Sequence, residues 1–189
     1  MTWVCVGSSS PFATVALFED DKLLASACEE APMRASEAIL KLLQSLLSET
    51  GKRLGEIEVF GADIGPGSFT GVKVAVTLAK SMAFALDRRV AGFSAFDLIA
   101  RGGAAAVPSR RGWYLLRESA GEPVELRLDD ERLAHALGYG AAFAQETLPL
   151  AEHAAFASLH ALSPAELVPQ YVLEPSISLP KTPFSGGDI

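Results

Sequence analysis

The chain has 189 residues and a net charge of −7, with 49% apolar and 21% charged residues. This content excludes a disordered chain and supplies a real core, while leaving apolar surface that a partner should cover. The basic clusters go no further than pairs, Arg88-Arg89 and Arg110-Arg111 among them. That argues against a chain that grips nucleic acid alone, because phosphate neutralisation dominates such affinity. Cys5 and Cys28 lie in strand-like apolar runs and read as buried free thiols of a reducing cytosol. No charged start leading into an apolar stretch marks a signal peptide. No run of about 18 apolar residues suggests a membrane span, so a cytoplasmic protein is expected.

In chain order, 3–6, 13–18 and 23–28 are short β-rich runs separated by turn formers at 7–11 and 19–21, an antiparallel meander. A helix is expected from 34 to 49, stopped by Gly51. Its apolar residues Ile39, Leu40, Leu42, Leu43, Leu46 and Leu47 cover more than one 100° stripe, so one face remains for a second surface. A fourth strand, 59–64, runs into Gly65-Pro66-Gly67-Ser68-Phe69-Thr70-Gly71, and a second helix follows over 72–86. Val72, Val76, Ala79 and Ala83 recur on it at helical spacing, and its alanines permit close approach by a neighbouring helix. A fifth strand at 90–93 precedes a third helix capped by Ser94. The order β-β-β-α-β-α-β-α predicts an α/β mixed sheet covered by helices, the half-molecule of actin-like folds.

Beyond Arg101 the pattern is weaker. Residues 102–107 read as a hinge, 113–117 and 124–128 as a hairpin, and 129–137 as a helix capped by Asp129. Residues 148–162 are moderately helical and 167–173 read as a last strand. The Pro/Ser/Gly-rich tail 175–189 is expected to be extended or disordered. The predicted division is a first lobe over 1–101, a shortened second lobe over 102–174, and the tail.

The Gly-rich loop between a strand and a helix start can cradle an anion or simply make a tight connection; spacing alone leaves both open. It is not a Walker loop, since no Gly-Lys-Ser/Thr ends it. The string ADIGPGSFTGVKVAVTLAKSMAFAL, from Ala62 to Leu86, closely resembles the signature of the TsaB family, also called YeaZ. Val90 to Ala100 resembles that family's next strand and helix, and Ser36-Glu37 and Arg110 with Gly112 add to the match. The resemblance is strong over 1–101 and thin beyond.

It implies a two-lobed, actin-like (ribonuclease H-like) fold without independent catalysis or cofactor. Such a protein partners a TsaD-like paralogue and a TsaE-like ATPase in threonylcarbamoyladenosine modification of tRNA. It would meet tRNA only through the complex, and would form a homodimer when alone. The family contact is a bundle of the first two long helices. The expected core-plus-interface residues are therefore Ile39, Leu40, Leu43, Leu46, Val72, Val76 and Ala79. The loop residues Gly65, Gly67, Ser68, Thr70, Gly71 and Lys73 are expected near a weakly held or partner-dependent nucleotide.

The chain also departs from the family pattern. Gly7 stands where an Asp usually ends the first strand, Ala35 precedes Ser36-Glu37 in place of His, and Lys73 replaces an Arg. Ser81 replaces a helix glycine, and Pro108-Ser109-Arg110 replaces Asp-Ala-Arg. Two lost carboxylates point away from chemistry. The alternatives are a small actin-like ATP-dependent phosphotransferase and a divergent stand-alone homodimeric scaffold. His153 and His160 lack partners at metal-ligand spacing, and no HExxH string supports a metalloprotease. Ser8, Ser9 and Ser10 lack a nucleophile elbow and read as turn hydroxyls.

Overall fold

The computed structural model describes residues 1–119 and 121–172. Its first sheet has the order β3-β2-β1-β4-β5, built from β1 (Thr2–Gly7), β2 (Phe12–Glu19), β3 (Lys22–Glu30), β4 (Val59–Asp63) and β5 (Arg89–Phe93). The first three strands are antiparallel, and β1, β4 and β5 are parallel. This is the mixed α/β sheet that the order of elements predicts.

β1 is buried along its whole length because both faces of the sheet are covered, and its residues alternate between two cores. Val4 and Val6 face the side that carries α1 (Ala35–Thr50) and α2 (Phe69–Ala85), with Leu17, Ile39, Leu43, Phe60 and Val76. Trp3 and Cys5 face the other side. There Trp3 stacks on Phe18 with ring centroids 4.0 Å apart, and its Nε1 donates to the Asp20 carbonyl.

α1 ends as expected, with Gly51 at φ 68° donating its N–H to the Ser48 carbonyl. α2 begins three residues earlier than its periodicity predicts. Phe69 to Gly71 are its first turn, and Ser68 is the N-cap, its Oγ accepting from the Gly71 N–H at 3.2 Å. Ser94 precedes α3 (Ala95–Ile99) but makes no side-chain cap bond; its hydroxyl donates to the Gly65 carbonyl instead, at 3.4 Å. Cys28 is exposed rather than buried, because β3 is the sheet's edge strand; Cys5 is buried.

The expectation of no long apolar stretch meets an exception in α2. Phe69–Leu86 is long and apolar enough by length and composition to span a membrane, with mean hydropathy 1.4 over 18 residues. The topology argues otherwise. β4 and β5 pair in parallel from Val59↔Arg89 to Asp63↔Phe93, so both ends of the helix return to one sheet.

After α3 the differences from expectation grow. The predicted hinge is partly β6 (Ala105–Pro108), whose small residues Ala105 and Ala106 are buried in a second sheet. That sheet has the order β8-β7-β6-β9, with the hairpin β7 (Trp113–Arg117) and β8 (Val124–Arg127), and β9 (Leu137–Gly138). The predicted helix at 129–137 is a short 3-10 turn, Glu131–His135, capped by Asp130 rather than Asp129. Residues 148–162 form two 3-10 turns, Ala151–His153 and Phe156–Ser158, since Pro149 and runs of small residues give no continuous apolar stripe. This segment, expected with the second lobe, returns to the first sheet. Ala151 and Ala154 complete the core around Trp3 and Phe18, and Leu162 bridges to Val90. From 167 to 172 no strand forms, although Leu167 is buried and the Gln170 N–H donates to the Ile64 carbonyl. Leu173 and the tail 175–189 lie outside the described residues.

Phe60 has no exposed surface and sits at the centre of the α1/α2 side of the sheet. Phe60→Ala should cost about 3–5 kcal/mol of unfolding free energy, read from urea denaturation followed by circular dichroism.

Candidate functional site

The Gly-rich loop is closed against the chain's own backbone. The Ser68 N–H donates to the Ser9 carbonyl at 2.7 Å, and the Ser8 hydroxyl donates to the Gly71 carbonyl at 2.8 Å. The approach requires glycine. A Cβ on Gly71 would run into the Ser8 carbonyl, and one on Gly67 into the Ser9 backbone. Ser8, Ser9 and Ser10 are consequently all buried. Of the two uses the sequence left open, the loop is built as a tight connection whose glycines contact the serine turn.

One residue that the sequence reading did not single out sits at the centre of this contact. Asp63, at the end of β4, has no exposed surface; its Oδ1 accepts from the Gly65 N–H at 2.8 Å, and among the described residues its Oδ2 has no hydrogen-bond partner. The Ser9 hydroxyl is likewise buried without a partner. Burial pushes the Asp63 carboxyl up to about 6, against the lowering pull of the adjacent Ser9 groups and the Gly65 amide. Cys5 and Tyr139 lie close enough to feel its charge; burial first, and then that charge, raise both their pKa values. The Tyr139 hydroxyl reaches in from the second sheet to the Ser9 carbonyl at 3.4 Å. A carboxylate ending an otherwise apolar strand, VFGAD, just before Gly-Pro-Gly is the signal that could have marked Asp63.

Gly7 belongs to the same contact. It pairs with Thr14, and a Cβ there would meet the Thr14 hydroxyl at 2.8 Å and the Asp63 Cβ at 3.2 Å. The absent side chain of β1 and the buried carboxyl of β4 thus occupy one space. A carboxylate on β1 would meet another carboxylate there.

The helix residues divide sharply. Ile39, Leu43, Leu46, Val72, Val76 and Ala79 are all at most 3% exposed and belong to this chain's own core; of the seven expected residues only Leu40, at 47%, reaches the surface. Other apolar side chains on the outer surfaces are Phe84, 82% exposed, and the half-buried Leu47, Val74 and Leu78. Thr70 and Lys73 are exposed, and the Lys73 ammonium lies 4.0 Å from the Phe69 ring centroid. His153 Nδ1 lies 2.6 Å from the Leu98 carbonyl and His160 is exposed. Among the described residues no three His, Cys, Asp or Glu side chains are grouped to hold a metal ion.

Comparison with known proteins gives these features a context. The sequence model of the family described as "TsaD: tRNA N6-adenosine threonylcarbamoyltransferase" matches residues 28–110. Two curated relatives carry the name tRNA threonylcarbamoyladenosine biosynthesis protein TsaB. That of Bacillus subtilis (strain 168) is 28% identical over 103 residues, 54% of this chain and 45% of its own length. That of Escherichia coli (strain K12) is 28% identical over 102 residues, 54% of this chain and 44% of its own. The chain spans about half the length of the curated relatives it matches. Two solved structures from Pseudomonas aeruginosa share the fold at 22% identity. A protein with similarity to peptidase YEAZ has a TM-score of 0.73, covering 91% of this chain and 99% of the other. YeaZ has 0.70, covering 90% and 99%.

Two outcomes test the loop contact. Asp63 ionises near pH 3.8 when unfolded and near 6 when folded, so its contribution is unfavourable above pH 6 and fades as the pH falls towards 4. Asp63→Asn should exceed the unsubstituted chain by up to about 3 kcal/mol above pH 6 and converge with it below pH 4; denaturation curves between pH 4 and 7.5 read the difference. Gly71→Ala should lose at least about 2 kcal/mol, seen as a lowered urea midpoint.

Proposed function

We propose that this chain is a TsaB/YeaZ-type protein, a non-catalytic partner in threonylcarbamoyladenosine modification of tRNA. It pairs with a TsaD-type subunit through the outer faces of α1 and α2. The observation that carries the reading is the state of α2. A third of the residues in its apolar 18-residue stretch are buried in the chain's own core, and among the outward ones Phe84 stands 82% exposed with Val74 and Leu78 half-buried, so a helix anchored to a sheet at both ends leaves apolar side chains at the surface. An uncovered apolar helix face favours a protein partner.

The Gly-rich loop supports the non-catalytic part. With the glycines pressed on the serine turn and Gly7 in place of a β1 carboxylate, a phosphotransferase lacks both an open phosphate cradle and the group that would orient metal and water. The partner would hold the tRNA anticodon arm and the nucleotide of the reaction, with this chain near that nucleotide through the exposed Thr70 and Lys73 of the first turn of α2. A TsaE-like ATPase completes the set, the chain pairs with itself when alone, and the compartment is the cytoplasm.

With Ile39, Leu43, Leu46, Val72, Val76 and Ala79 in the core, the pairing contacts in this reading fall to the surface residues Leu40 and Phe84 and the half-buried Val74 and Leu78. Leu40→Glu with Phe84→Glu should leave the melting temperature near that of the unsubstituted chain and abolish pairing. Val76→Glu should prevent folding altogether. Size-exclusion chromatography with light scattering, on the chain alone and mixed with its host's TsaD-type protein, reads this directly. A folded double variant that still pairs overturns the placement. A homodimer that never exchanges with the TsaD-type protein replaces the activator by a stand-alone scaffold.

A further inference from the structure

The turn Ser109-Arg110-Arg111-Gly112 between β6 and β7 lines a concavity of about 390 Å³ together with Trp113 and Leu128. The size lies within the range of about 300–1,000 Å³ typical of small-molecule sites. Its cationic wall is held in place. The Arg110 guanidinium lies 4.6 Å from the Trp113 ring centroid and donates to both Glu125 oxygens, at 3.1 and 2.7 Å. Glu125 also accepts from the Ser109 hydroxyl at 2.8 Å. Burial alone would raise the Glu125 carboxyl, but these two donors bring it below its usual value. Arg127, paired with Asp129 at 3.2 Å, lies 6.0 Å from the same indole. Among the described residues Arg111 has no carboxylate partner, and its side chain lines the opening.

These features leave one uncommitted cation beside a guanidinium that Glu125 holds over the Trp113 indole. Unpaired nucleotides are held by that combination, a planar surface for the base and a cation for the phosphate. An acidic peptide would need several uncommitted cations, and Arg110 and Arg127 are already neutralised by Glu125 and Asp129. We propose that the concavity under the β6–β7 turn binds a nucleoside phosphate, its base lying on the Arg110–Trp113 stack and its phosphate on Arg111. The site is independent of the helix-pairing reading, because it uses neither α1 nor α2. The ligand is either a free nucleotide or an unpaired nucleotide of an RNA strand.

Intrinsic fluorescence of the full chain tests this. Trp3 is sealed in the core while Trp113 lines the concavity, so a ligand-induced change reports Trp113. The probes are adenosine monophosphate and single-stranded hexa-adenylate RNA. A saturable change with the monophosphate assigns the free nucleotide; saturation by the strand alone assigns RNA. Arg111→Glu should weaken either by about tenfold or more, as expected for loss of a charge-assisted contact and gain of repulsion. Arg111→Gln serves if that variant fails to fold, and Arg88→Glu, in the connection between α2 and β5 of the first sheet, controls for bulk charge. No saturable change with either probe overturns the proposal, as does equal weakening by Arg88→Glu. Because the chain is tested without any partner, failure here leaves the pairing experiment intact, and failure of pairing leaves this one intact.

Discussion

The contact on which the rest of the chain depends is backbone against backbone, between the start of α2 and the turn after β1. Ser9 contributes one carbonyl that receives both the Ser68 N–H and the Tyr139 hydroxyl. Gly65, in the same loop, accepts from the Ala95 N–H at the head of α3 at 2.7 Å. One short stretch of main chain therefore fixes where α2 leaves the sheet, where α3 begins and how the second sheet approaches the first. Side chains alone could not do this at such separations, because a Cβ at Gly71 would already displace the Ser8 carbonyl.

The same closeness explains the oddity at its centre. A carboxyl with no exposed surface and one unpartnered oxygen is costly to hold, and it is tolerated where Gly7 leaves room beside it. A fold that uses this corner for metal-assisted phosphate chemistry needs an open, charged β1 end. Here the corner is filled by serine hydroxyls, a glycine and a carboxyl whose pKa burial has raised. The contacts proposed for this chain lie elsewhere, on the outer faces of α1 and α2 and at the β6–β7 turn of the second sheet.

The first hundred residues were legible because their signals are local and strong. Short β-rich runs between turn formers identified β1 through β3, Gly51 ended α1, and Gly-Pro-Gly marked the entry to α2. What failed there were questions of three-dimensional neighbourhood. Periodicity found Ile39, Leu43 and Val76 but could not say that the sheet already covers them. Cys28 looked buried because its run is apolar, yet it lies on an edge strand. Asp63 was hidden by its own context, a charged residue in a motif remarkable for its glycines. Beyond Arg101 the chain is written in alanines, prolines and short turns, which carry no helical stripe. Burial of Ala105, Ala151 and Ala154 is decided by what packs on them, and that information lies in distant segments.

The path of the chain after α3 has one further implication. It leaves the first sheet, builds β6 to β9, and then comes back, with Ala151 and Ala154 finishing the core under Trp3 and Leu162 closing the free edge of β5. Departure and return lie side by side, since the Arg101 guanidinium bonds the His153 carbonyl at 2.9 Å. The second sheet is thus an insertion whose two stems are stapled together at its base. Such an arrangement lets residues be gained or lost between the stems without altering a single strand neighbour of the first sheet. This part of the chain can vary in length, and the helices that carry the proposed pairing need not change with it.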